Sequence, residues 1–172
     1  MRKLKILSLV ILIAGSFFLS VGCSKSNSNN SSSTKDSVLY SAWKPFSLTY
    51  EGLNSNSDSI YDQVAVAAPI TQSVLDKGSV LVYVSNGSGS YALASDAGFS
   101  VVLSVGQIYL STFGAVSSSY TWRYVVIPGT IATTTASGSL QTYTPSQLKT
   151  MSYAAVSSIL GISESNKGAV LK

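Results

Sequence analysis

Along most of the chain the apolar positions recur with a period of two, the spacing of a strand that shows side chains to each face in turn. Val80, Val82 and Val84 alternate with Leu81, Tyr83 and Ser85, and Asn86-Gly87-Ser88-Gly89 ends the run with turn-forming residues. Phe99, Val101, Leu103 and Val105 alternate with Ser100, Val102 and Ser104. Gly106 then breaks the pattern, as a β-bulge or bend would, and residues 107–112 resume it. Residues 120–127 read as a further strand stopped by Pro128-Gly129. Weaker strands are expected at residues 47–50, 63–68, 131–135 and 139–143.

One segment has helical spacing instead. Val156, Ile159 and Leu160 make an apolar stripe, with Ser152 placed as N-cap, Gly161 just past the last turn and Ile162 positioned to cover it. A shorter helical turn fits residues 71–76, with Thr71 as its cap. The whole pattern predicts an all-β fold: an antiparallel β-sandwich, Ig-like or jelly-roll-like, with a short C-terminal helix.

The N-terminal stretch follows neither period. Arg2, Lys3 and Lys5 precede an apolar run over residues 6–19, and Val21-Gly22-Cys23 then offers a small residue before a cysteine. These are the parts of a secretory signal, and the run is shorter than the ~20 residues a membrane-spanning helix needs. The end of the leader resembles the lipobox of bacterial lipoproteins, departing from it at Ser20, where Leu, Val or Ile is commoner. Cys23 is the only cysteine, so no disulfide can form within the chain, and lipidation of its sulfur is the expected use. Acyl chains on Cys23 would then hold the protein at a membrane. Residues 24–37 contain only Ser, Asn, Thr, Lys and Asp, which cannot bury enough surface to order themselves. The expected organisation is a signal peptide at 1–22, a flexible tether at 23–37 and a single sandwich domain at 38–172.

Removing the leader changes the charge balance. Three of the 11 basic residues lie in it, leaving eight against seven acids, so no basic surface argues for nucleic acid. Histidine is absent, which excludes Ser-His and Cys-His nucleophile systems and imidazole ligation of zinc. Ser-x-x-Lys occurs at Ser32/Lys35, Ser41/Lys44 and Ser146/Lys149 without the companion motifs of serine acyl enzymes. Asn54, Asn56, Asp58 and Asp62 have part of the spacing of a calcium loop, but Ser59 stands where glycine is wanted and Ala65 where glutamate is wanted. A polar interstrand loop is the better account. No enzyme activity, cofactor or metal is expected.

Three blocks carry a resemblance: Ile70-Thr-Gln-Ser-Val-Leu-Asp-Lys-Gly-Ser-Val-Leu-Val-Tyr83, Ser104-Val-Gly-Gln-Ile-Tyr-Leu110 and Tyr124-Val-Val-Ile-Pro-Gly129. With the closing 151–162 segment they resemble a family of small lipoproteins of Bacteroidota, over about residues 43–162. The family's R-Y-V-I-P-G stretch stands here as Arg123 to Gly129 with an extra valine, and Leu93-Ala94 replaces a common Leu-Pro. The resemblance implies an envelope location and a fold, and it names no activity. The segment after Cys23 lacks the acidic cluster associated with surface export in that phylum. The expected location is therefore the outer membrane, on its periplasmic face. On physical grounds Asp76-Lys77-Gly78 is a turn launching a strand, with Gly78 free to take positive φ.

Two further sets of residues are candidates for function. Asp36-Ser37-Val38 and Asp58-Ser59-Ile60 match the Asp-Ser/Thr-apolar pattern of O-glycosylation in Bacteroidota, which nominates Ser37 and Ser59. Tyr120, Trp122 and Tyr124 share one strand face, and with Trp43 they could form a ligand platform for sugar rings. The competing account is that these aromatics fill the sandwich core, within a supply that includes Tyr83, Tyr91 and Tyr109. The expected function is a lipid-anchored, non-enzymatic structural or binding module of the cell envelope, its partner a glycan or another envelope protein. The alternative is a carbohydrate-binding lipoprotein using exposed Trp and Tyr.

Overall fold

Among the described residues, nine strands pair into two stacked antiparallel sheets because their apolar faces need each other for cover. The computed structural model describes residues 38–134 and 138–164, all within one compact unit of the chain. The leader, Cys23, the tether and Ser37 lie outside the described residues. Among the described residues, no helix is long and apolar enough to cross a membrane.

One sheet contains β1 (Leu39–Tyr40), β2 (Lys44–Pro45), β5 (Ser79–Ser85), β6 (Tyr91–Leu93) and β9 (Thr121–Ile127). Both short strands β1 and β2 pair with β9, which pairs with β5, which pairs with β6. The other sheet has the order β3 (Thr49–Leu53), β4 (Ser59–Val66), β8 (Gln107–Phe113) and β7 (Phe99–Ser104). Between the two sheets lie Val82, Val84, Trp122, Tyr124 and Val126 from the first, and Phe99, Ile108 and Leu110 from the second. The helix α1 (Gln72–Lys77) joins β4 to β5 and adds Val74 to this core. Its cap is as expected: Thr71 Oγ1 accepts from Val74 N at 3.3 Å.

A third layer covers the far face of the first sheet. Leu81, Tyr83, Val125 and Ile127 point away from the sandwich and are buried against α2 (Pro145–Lys149) and α3 (Tyr153–Leu160), through Leu148, Tyr153, Val156, Leu160 and Ile162. A two-stranded ribbon of β10 (Ile131–Thr134) and β11 (Leu140–Tyr143) leads into these helices. We call the first sheet the covered sheet and the β3-β4-β8-β7 sheet the open sheet.

The helix ends follow local chemistry. Ser152 caps α3 by accepting from Ala155 N at 3.3 Å. At its other end Gly161 takes φ 62°, and the bonds from Ile162 N to Ser157 O and from Gly161 N to Ser158 O close the last turn in a Schellman motif. Ile162 is then buried beneath it. The sequence pattern did not reveal α2, which is too short to show a period. Its start is nevertheless written in Thr144-Pro-Ser-Gln147, where the Thr144 and Gln147 side chains bond each other's backbone as a capping box.

Two glycines can now be assigned their roles. Of the bulge and the bend expected at Gly106, the structure has the bend: with Val105 it forms the two-residue loop of the β7–β8 hairpin, at φ 75°. Gly78 does not use positive φ, since it sits at −103°. Its lack of a side chain matters for space, because a Cβ there would lie 2.3 Å from Ile127 O.

Candidate functional site

Alternation along β9 sends neighbouring side chains into two different buried layers. Trp122 and Tyr124 enter the space between the sheets, 1% and 8% exposed. Phe46 bridges Trp122 and Phe99, stacking on the latter at 4.8 Å, while Lys44 Nζ lies 5.8 Å from both the Trp122 and Tyr124 rings. Tyr120 is half-buried beside a hollow of about 330 Å³ that it lines with Phe99 and Val116. Trp43, by contrast, belongs to the opposite side of the covered sheet. The four residues therefore form no common platform. Trp122 and Tyr124 are core residues, and the face they share is the one that the open sheet covers.

The structure brings a different set together around Arg123, which is 0% exposed. Arg123 lies between Trp122 and Tyr124 in sequence, so its side chain goes to the helical side. There Nε and Nη2 donate to Ser41 O at 3.0 and 2.6 Å, and Nη1 donates to Tyr153 Oη at 2.8 Å and Ser163 O at 3.4 Å. Its guanidinium also sits 5.0 Å from the Tyr40 ring centroid and 5.1 Å from that of Trp43. A buried charge needs such partners, since an unsatisfied one costs far more than any packing gain.

Around this cation, aromatic rings arrive from separate elements. Tyr40 comes from β1, Trp43 from the β1–β2 connection, Tyr83 from β5, Tyr91 from β6 and Tyr153 from the first position of α3. Trp43 lies 5.4 Å from Tyr91 and 5.5 Å from Tyr153, and Tyr153 is 4.7 Å from Tyr91 and 4.8 Å from Tyr83. Beyond them Glu164 accepts from Trp43 Nε1 at 3.3 Å and from Tyr153 Oη at 2.8 Å. Burial pushes the Tyr153 phenol up to about 12; accepting its hydrogen bond, Glu164 adds to the rise, while Arg123 opposes it. Tyr83 is raised further, by burial and then by Tyr153, and its hydroxyl has no hydrogen-bond partner among the described residues.

The other nominated positions are occupied locally. Asn54 Oδ1 accepts from Asn56 N and Asp58 N, and Asn54 Nδ2 donates to Asp58 Oδ2, so the β3–β4 connection closes on itself as a polar turn. Asp62 is instead a β4 residue that accepts from the Tyr109 hydroxyl. Ser59 is the first residue of β4, half-buried and paired with Leu53.

The sequence offered one signal for the Arg123 cluster: a lone charge inside an otherwise apolar strand, Trp-Arg-Tyr-Val-Val-Ile. Nothing in it shows that Tyr153 and Glu164, 30 and 41 positions later, return to that charge. No protein-family profile, curated protein or solved structure matches the chain.

Proposed function

We propose that this chain is a lipid-anchored, non-enzymatic module of the bacterial cell envelope, related to the small lipoproteins of Bacteroidota. Cys23 carries the reading: the chain's only cysteine follows a basic and then apolar leader, and a polar stretch separates it from the sandwich. The disposition of polar groups supports a scaffold. Arg123 holds two carbonyls and a phenol, Asp62 holds Tyr109, and Asn54 and Asp58 close their own turn. The proposed location is the periplasmic face of the outer membrane. Cys23→Ala tests the anchor: the variant should remain an unprocessed precursor or become soluble. Continued membrane fractionation after correct cleavage would overturn the reading.

A second reading, carbohydrate binding, is favoured by one observation. Trp43 is half-buried and Tyr91 is 38% exposed, so this tilted pair leaves aromatic surface open to solvent. Such a surface suits the apolar face of a sugar ring. It replaces the platform expected around Trp122.

A further inference from the structure

The two donors that hold Glu164 are arranged as a carboxylate receptor. Trp43 Nε1 serves one oxygen and Tyr153 Oη the other. The Tyr153 hydroxyl in turn accepts from Arg123 Nη1, so a fixed cation polarises the phenol that does the donating. Glu164 itself is exposed, belongs to no helix or strand and lies beyond the Gly161 cap. Its carboxylate fills a receptor built by Trp43 of the β1–β2 connection and Tyr153 of α3. Next to that receptor stands the open aromatic surface of Trp43 and Tyr91, tilted by 30°.

We propose that this is a binding site for an acidic sugar, a pyranose ring bearing a carboxylate, and that Glu164 occupies it as a built-in competitor. The proposal rests on the carbohydrate-binding reading and supplies its ligand class and its control. The ligand's carboxylate would take the positions of Oε1 and Oε2, and its ring would lie against Trp43 and Tyr91. An acidic peptide could meet the same two donors, but the exposed part of the tilted Trp43–Tyr91 pair beside them favours a sugar ring.

A competitor attached to the same chain acts at an effective concentration in the millimolar range. Removing it should therefore raise affinity by about tenfold or more. The test is calorimetric titration of the full chain in detergent with trigalacturonate, with its methyl ester and with tetraglutamate. Glu164→Ala should bind trigalacturonate at least about tenfold more tightly than the unaltered chain does, and more tightly than it binds the ester. Adding Trp43→Phe, which keeps a ring but lacks the indole N–H, should remove that preference. Unchanged circular dichroism in both variants keeps the comparison to binding. Equal affinity for the acid and its ester would overturn the proposal while leaving sugar binding intact. Absence of binding to either saccharide would overturn both. Tetraglutamate bound as tightly as trigalacturonate would assign the receptor to acidic peptides and overturn the sugar.

Discussion

The covered and open sheets use the same antiparallel pairing but differ in how many of their faces are buried. In the covered sheet, six of the seven β9 residues and six of the seven β5 residues are buried. In the open sheet, β7 and β8 alternate between covered and uncovered positions. The outer face of the open sheet keeps Val64, Val66, Val102 and Phe113 more than half exposed. An antiparallel sheet commonly leaves one face to water, and here one sheet does so while the other is enclosed between a sheet and a helical layer. Enclosure permits Arg123 to sit in the middle of a strand, because ring faces, carbonyls and a phenol surround it there. On the open sheet the same side chain would extend into water.

Several changes would break or sharpen this contrast. The largest expected effect is at Arg123. Arg123→Ala leaves a cavity and strips Ser41 O and Tyr153 Oη of a buried donor, so we expect a loss of about 3–5 kcal/mol. Urea unfolding measures it, and a loss near zero would remove Arg123 as the organising group of the covered side. Next comes Leu148, 0% exposed at the centre of the helical layer. Leu148→Ala should cost about 2–4 kcal/mol. A value under about 1 kcal/mol would mean that α2 packs too loosely to count as a layer.

Alkali probes the same side more gently. The Tyr153 phenol ionises around pH 12 when folded, its value raised to about 12 chiefly by burial, but near its ordinary value of 10.0 when unfolded. Between those values the unfolded chain therefore holds fewer protons, and stability falls as pH rises through the window. Tyr153→Phe should flatten that slope in unfolding curves taken from pH 9 to 12. An unchanged slope would place the loss at other tyrosines. The smallest effect is expected on the open face, where Val66→Thr and Val102→Thr should each stay within about 0.5 kcal/mol of the unaltered chain. A larger loss would reveal that something covers that face in solution.

The contrast also explains what could be read from the chain. Alternation in residues 99–112 marks half-exposed strands, and β7 and β8 lie where it places them, with the glycine between them turning the chain. The caps of α1 and α3 follow equally from Thr71, Ser152 and Gly161. Parity also separates Trp122 and Tyr124 from Arg123 and Val125 correctly. It cannot say which set faces inward, because in a strand enclosed on both sides each set does. That is why an aromatic row legible at Tyr120, Trp122 and Tyr124 belongs to the core. The Arg123 site depends on contacts from Tyr40 to Glu164, which no local pattern encodes.

Arg123 has one more consequence. It bonds Ser41 O near the start of the described chain and Ser163 O near its end. Segments from opposite ends of the described residues therefore meet at a single guanidinium. Arg123 acts as a clasp between them, so its loss should loosen both segments together rather than one alone.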